Sequence, residues 1–151
     1  FKDRQDLLSA VLETWKEGRI KDIIKQTSAE PGGALPQIYH VIDVYSAVRN
    51  RKGIYIELAI RDWARHDAKA ASVVEEVDRC RLECARRLFS ECGLPEQEAK
   101  SRSLLLYAYV FGQSLMVFDN YDANVPALKA WIADVIVRSP TPTVAPPTAQ
   151  P

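Results

Sequence analysis

The sequence lacks a surplus of either charge. Twenty Lys and Arg residues balance twenty Asp and Glu residues, and the formal net charge at pH 7 is zero. A protein that holds nucleic acid or an acidic membrane through bulk charge carries a basic excess. The balanced composition therefore excludes that mode of binding for this chain.

Cysteine and histidine are scarce. The three cysteines are Cys80, Cys84 and Cys92, and an odd count in 151 residues is not a disulfide framework. Cys80 and Cys84 lie one helical turn apart, which could serve a metal or a redox switch, but small core residues are the simpler interpretation. The histidines, His40 and His66, have no partner at the spacing of a nucleophile–base pair or a metal site. We therefore predict no enzymatic activity, no metal and no cofactor.

Long apolar runs and a signal peptide are also absent from the sequence. No run approaches the roughly 18 apolar residues that span a bilayer. The first four residues, FKDR, do not begin a secretory signal and include no initiator Met. We therefore expect a cytoplasmic protein, with this chain forming a piece of a longer one.

What the sequence does contain is apolar residues at helical spacing. The hydrophobic share is 47%, enough for one core in a chain of 151 residues. No period-2 alternation accompanies the apolar residues, so the pattern predicts an all-α, antiparallel bundle of about six to seven helices. The predicted helices span residues 3–17, a short stretch near 20–24, residues 35–48, 54–67, 67–92, 96–118 and 125–138.

Glycine and proline mark the predicted boundaries. Gly18 is expected to break the first helix, and Gly93 is expected to end the longest helix. Residues 31–33 and 49–53 are expected to interrupt the helical structure between neighbouring helices. After Ser139 the sequence is rich in proline, threonine and alanine and has little to bury. The prediction is a helical domain over residues 1–138 and a disordered tail over residues 139–151.

The predicted helix over residues 67–92 has a strongly charged face. Arg79, Arg81, Arg86 and Arg87 alternate with acidic residues at helical spacing. Such (i, i+4) alternation is typical of a helix face in water. We expect all four arginines to be solvated.

Residues 104–112, LLLYAYVFG, are apolar all round a helix. A helix without a polar side is buried on every side. Ala108 and Gly112 would let a second helix approach closely, and Trp131, Ile132 and Val135 could join them in a two-fold interface. The alternative is that this helix runs through the centre of a monomeric bundle, and the residues alone leave both open.

Aromatic residues recur on several predicted helices, at Tyr39, Tyr45, Trp63, Tyr107 and Phe111. Tyrosine and tryptophan combine an apolar body with a polar tip, which suits a ligand cavity. The same composition is found in any helical core. The aromatic residues by themselves therefore favour the core over the cavity.

Three stretches, in this order, resemble the C-terminal domain of TetR-family transcriptional regulators. They are residues 1–8 (FKDRQDLL), residues 60–67 (IRDWARHD) followed by VDR at 77–79 and RL at 81–82, and residues 104–109 (LLLYAY). The resemblance extends from Phe1 to about Arg138. The DNA-binding helix-turn-helix of the family would lie before Phe1 and is not in this chain.

The resemblance implies a homodimer that senses a small, largely apolar effector and thereby relieves DNA binding by a repressor. It implies that the last two helices form a four-helix interface with a second copy. The interface residues would be Leu105, Ala108, Gly112, Met116, Leu128, Trp131, Ile132 and Val135. It also implies a ligand cavity lined by Tyr39, Ile42, Tyr45, Trp63, Tyr107 and Phe111.

A second interpretation is an all-α interaction or dimerisation module with no ligand pocket and no DNA partner. An enzyme built around His40 or His66 is a third. The residues do not identify the effector, the operator or the direction of regulation.

Overall fold

The computed structural model describes residues 1–28, 32–46 and 51–138, except for the side chains of residues 46, 51 and 52. Within these residues the chain forms six helices and no strand, which confirms the all-α prediction. The helices are α1 (Arg4–Thr27), α2 (Ala34–Ser46), α3 (Arg51–Ala64), α4 (Ala68–Glu91), α5 (Glu96–Leu115) and α6 (Val125–Val137). The predicted tail, residues 139–151, lies outside the described residues.

Helix α1 is longer than predicted. It begins after Asp3, whose carboxylate accepts a hydrogen bond from the backbone N–H of Asp6 at 2.8 Å, as an N-cap should. It then continues through Gly18, so the predicted break at this residue is wrong. A glycine costs a helix only about 1 kcal/mol relative to alanine. The burial of Leu12 and Ile23, on either side of Gly18, outweighs that cost.

The start of α3 is also earlier than predicted. Residues 49–53 were expected to interrupt the helical structure, but α3 begins at Arg51 and includes Gly53. Residues 49 and 50 lie outside the described residues. Before α2, Gly32 and Gly33 adopt positive φ angles of 129° and 87°, which fits the predicted loop.

Helix α4 is the central element and packs against α1, α2, α3 and α5. Its predicted ends are confirmed. The side chain of Asp67 caps the N-terminus by accepting from the backbone N–H of Ala70, and Gly93 follows the helix with a φ of +87°. The backbone N–H of Leu94 reaches the carbonyl of Phe89 at 3.3 Å, which closes the last turn.

Helices α5 and α6 are joined by residues 116–124. Helix α5 ends at Leu115, three residues before the predicted end. Arg102 of α5 is 8% exposed, and its guanidinium donates to the carbonyls of Ile136 and Arg138. This contact satisfies carbonyls at the C-terminal end of α6 and holds that end of α6 against α5.

Two apolar clusters form the core. The larger gathers residues of α2, α4, α5 and α6 around Ile42, Phe89, Leu106 and Val110. The smaller gathers Leu12 of α1, Ile60 of α3 and the first turns of α4. No helix in the described part of the chain is both long enough and apolar enough to cross a membrane.

Candidate functional site

The structure places five of the six residues predicted to line a ligand cavity at one core cluster and the sixth at another. Ile42 and Tyr107 are buried in the larger core cluster, and Tyr39, Tyr45 and Phe111 pack against it. Trp63 packs instead against the smaller cluster, between α1, α3 and α4. The aromatic residues of α2 and α5 are thus brought together, and Trp63 is not among them.

Most of these aromatic side chains make specific contacts within the bundle: a hydrogen bond, a ring–ring contact or a cation–π contact. The Tyr39 hydroxyl donates to Asp134 of α6 at 2.6 Å. The rings of Tyr45 and Tyr107 meet edge to face, with centroids 6.0 Å apart. Phe111 lies beneath two guanidinium groups, with Arg61 at 4.7 Å and Arg81 at 5.3 Å from its ring centroid.

Those two arginines belong to an ion network between α3 and α4, of which the Glu57–Arg81 pair is buried and the Arg61–Asp78 pair is half-buried. Arg81 donates to both carboxylate oxygens of Glu57, from Nη1 at 2.9 Å and from Nη2 at 2.7 Å. Arg61 binds Asp78 in the same two-fold manner, at 2.8 and 2.6 Å. Arg61 Nε to Glu57 at 3.0 Å and Arg81 Nη1 to Asp78 at 2.9 Å join the pairs. Two cations and two anions therefore neutralise one another.

The depth of this network corrects one prediction. Arg81 was expected on a solvated face but is 1% exposed, and Glu57 is 3% exposed. Burial alone would lower the pKa of Arg81, but the hydrogen bonds and charge of Glu57 outweigh it and the pKa is raised. The other three arginines lie nearer the surface, Arg79 and Arg87 being exposed and Arg86 half-buried. The network holds charge fixed at the centre of the bundle.

The sequence contained a signal for the burial of Arg81. Position 81 falls on the stripe formed by Val77, Ala85 and Leu88, all of which are buried. An arginine on an apolar stripe needs an acidic partner from another element. Glu57, one turn before the buried Ile60 on α3, is that partner.

The surface of α5 and α6 is the second notable feature. Large apolar side chains are exposed there: Leu105 is 49%, Trp131 68% and Val135 50% exposed. Five other predicted interface residues share this surface, of which Met116 and Ala108 are exposed and Gly112, Leu128 and Ile132 are half-buried. Leu104 and Leu115 extend the surface along α5. We call these ten residues the α5–α6 face.

A groove of about 660 Å³ opens at one end of the α5–α6 face. Its walls are the C-terminal end of α5, residues 116–121, and the N-terminal half of α6. Apolar side chains dominate the lining, and Lys129 and Asp119 add one charge of each sign. We call it the α5–α6 groove. It contains four predicted interface residues, namely Gly112, Met116, Leu128 and Ile132, and none of the six predicted cavity residues.

Tyr109 links this groove to the core. It lines the groove and also packs against the larger core cluster. Its hydroxyl is sealed from solvent without a hydrogen-bond partner among the described residues, and burial raises its pKa. Tyr109 therefore contacts both the groove and the core while its hydroxyl stays protonated.

The cysteines and histidines do not form a reactive cluster. Cys80 and Cys84 are half-buried on α4, and burial together with the neighbouring Cys84 raises the pKa of Cys80 to about 11. A protonated thiol is a poor nucleophile and a poor metal ligand. His40 and His66 are both exposed and far from each other in the chain. In the part of the chain that the structure describes, no three His, Cys, Asp or Glu side chains could together hold a metal ion.

Comparisons of the chain with protein-family models, with curated proteins and with solved structures found no match.

Proposed function

We propose that this chain is the dimerising, effector-sensing domain of a TetR-type transcriptional regulator. The observation that carries the proposal is the α5–α6 face. Large apolar side chains that are exposed together on neighbouring helices are typical of interaction sites, and six such side chains are exposed on α5, α6 and the residue that follows α5: Leu104, Leu105, Leu115, Met116, Trp131 and Val135. An interface built on the last two helices would cover them with the same face of a second copy.

The groove supports the sensing part of the proposal. A cavity of 300–1,000 Å³ with an apolar lining and a few polar groups is typical of small-molecule sites. The α5–α6 groove, at about 660 Å³, falls within that range. The proposed protein is cytoplasmic and represses transcription through a helix-turn-helix that precedes this chain. An effector then shifts the dimer toward an arrangement with lower affinity for DNA.

Sedimentation tests the dimer directly. The chain has a mass of 17.0 kDa, and we expect a species of twice that mass at micromolar concentration. Trp131→Glu places a charge at the middle of the α5–α6 face and should convert the protein to a monomer. Tyr55→Glu is the matched control, because Tyr55 on α3 is 67% exposed and Trp131 is 68% exposed. This variant should remain dimeric.

A wild-type protein that sediments as a monomer would remove the dimer from the proposal. The α5–α6 face would then be a surface for a different protein, as in an interaction module. Equal dissociation by Trp131→Glu and Tyr55→Glu would also contradict the assignment, because it would show that the interface is not on α5 and α6.

A further inference from the structure

We infer that the α5–α6 groove binds a small amphipathic anion, an apolar body that ends in a carboxylate, and that Lys129 receives the carboxylate. The inference rests on the proposed effector-sensing function and names the chemistry of the effector. It also moves the site, because none of the six aromatic and aliphatic residues first predicted to bind ligand lines this groove.

The apolar part of the ligand follows from the walls of the groove. Phe118, Leu128 and Ile132 line it from the connecting segment and from α6, and all three are half-buried. Each therefore retains apolar surface that a ligand can cover. Covering that surface would remove it from water and favour binding.

The anionic end follows from Lys129. This side chain is half-buried, and its ammonium lies 5.3 Å from the centroid of the Phe118 ring. Among the described residues, no carboxylate lies within ion-pair distance of it. A cation that is placed by an aromatic ring and lacks an anion is a site for a carboxylate.

Asp119 also lines the groove and has the opposite charge. It is exposed on the connecting segment, whereas Lys129 is half-buried. Water and salt screen an exposed charge much more strongly than a half-buried one. Lys129 is therefore the less screened of the two charges at the groove.

A second copy of the chain is the competing occupant, since four predicted interface residues line the groove. Covering the groove with the apolar face of a second copy would take the ammonium of Lys129 out of water. Burial of an unpaired charge is unfavourable. A ligand carboxylate neutralises this charge, so the structure favours the small anion in the groove and the second copy on the rest of the face.

Calorimetric titration with octanoate, 1-octanol and octylamine tests the inference, because the three probes share an apolar chain and differ in charge. We expect octanoate to bind most tightly. Lys129→Gln should weaken octanoate binding about tenfold, the scale of one charge-assisted contact, and leave 1-octanol binding unchanged. Lys21→Gln, which removes an exposed lysine of α1, should have no effect. Octanoate should shift the amide resonances of Phe118, Leu128 and Ile132.

Four outcomes would overturn the inference. They are no binding of octanoate, equal binding of octanoate and 1-octanol, an unchanged affinity in Lys129→Gln, and resonance shifts confined to the core aromatic residues. Octanoate affinity that falls as protein concentration rises would assign the groove to the second copy instead. Sedimentation of the same samples separates this test from the proposed function. A monomer that binds octanoate refutes only the dimer, and a dimer that ignores octanoate refutes only the ligand.

Discussion

The centre of α3 and α4 and the surface of α5 and α6 reverse the usual distribution of charge and apolar character. In the first region, Glu57 and Arg81 are nearly inaccessible to water. In the second, Trp131 is 68% and Leu105 49% exposed to water. Buried polar groups and exposed large apolar surfaces are the informative departures in a folded protein.

The two regions differ in whether their side chains find partners among the described residues. The Nε of Arg81 is buried without a hydrogen-bond partner among the described residues, but the other charged atoms of the ion network are paired within it, so that region is largely satisfied by its own contacts. Among the residues that the structure describes, none covers the large apolar side chains of the α5–α6 face. The charged interior therefore serves the fold, and the apolar exterior is the surface at which we propose that this protein meets other molecules. Substitutions in the ion network test that division.

The largest expected effect is on the interior. Arg81→Ala leaves the carboxylate of Glu57 buried with only the guanidinium of Arg61 to bind it, and we expect the free energy of unfolding to fall by about 3–5 kcal/mol. Arg79→Ala removes an arginine from the same helix, but its partner Glu75 is exposed, so the loss should stay below about 0.5 kcal/mol. Urea denaturation measures both variants.

A paired replacement sharpens this test. In Glu57→Leu with Arg81→Leu, no buried charge loses its partner, because Arg61 and Asp78 keep their two-fold contact. We expect the double variant to recover most of the stability that Arg81→Ala loses. Similar losses in Arg81→Ala and Arg79→Ala would show that the network is not a buried unit and would remove the contrast between the two regions.

The start of α1 and both ends of α4 were the most predictable part of the fold. Asp3, Asp67 and Gly93 act within one turn of the chain, so a cap or a terminating glycine can be read without the tertiary structure. The course of α1 through Gly18 could not be read this way. Its continuity depends on burying Leu12 and Ile23 against other helices, which is a property of the whole bundle.

The candidate sites show the same limit. The spacing of Leu105, Ala108 and Trp131 predicted an apolar face, and the structure places that face on the surface. The prediction that Arg81 is solvated was wrong. Arginines that alternate with acidic residues at (i, i+4) spacing do not show whether that face of the helix is exposed to solvent or packed against another helix. The groove was not foreseen at all. It depends on how residues 116–121 run between α5 and α6, and an irregular segment leaves no periodic pattern.

The next effect in size concerns the contact between α2 and α6. Tyr39→Phe removes the hydroxyl that donates to Asp134 at 2.6 Å, and we expect a loss of about 1–2 kcal/mol. Tyr55→Phe removes a hydroxyl from a tyrosine that is 67% exposed and should change stability little. Thermal or urea unfolding distinguishes the two. Equal effects would mean that Tyr39 contributes no more to the fold than a surface tyrosine.

The smallest effect is a change in how stability depends on pH. Burial would raise the pKa of Asp78, but the hydrogen bonds and charges of Arg61 and Arg81 outweigh burial and hold the pKa below its usual 3.8. The unfolded chain then takes up this proton more readily than the folded one. The stabilisation from Asp78 is therefore complete above pH 3.8 and is lost as the pH falls through the lower, folded pKa.

Asp78→Asn removes this titration, so its free energy of unfolding should fall less steeply than that of the wild type between about pH 5 and pH 2. Asp62→Asn, which removes an exposed carboxylate from α3, controls for the loss of one negative charge and should retain the slope of the wild type. Urea titrations at each pH give the slopes. Parallel curves for the wild type and Asp78→Asn would mean that the arginines do not hold Asp78 in its charged form. The charges of the ion network would then be less strongly paired than their distances indicate. The contrast between a paired charged interior and an exposed apolar surface would be smaller for that reason.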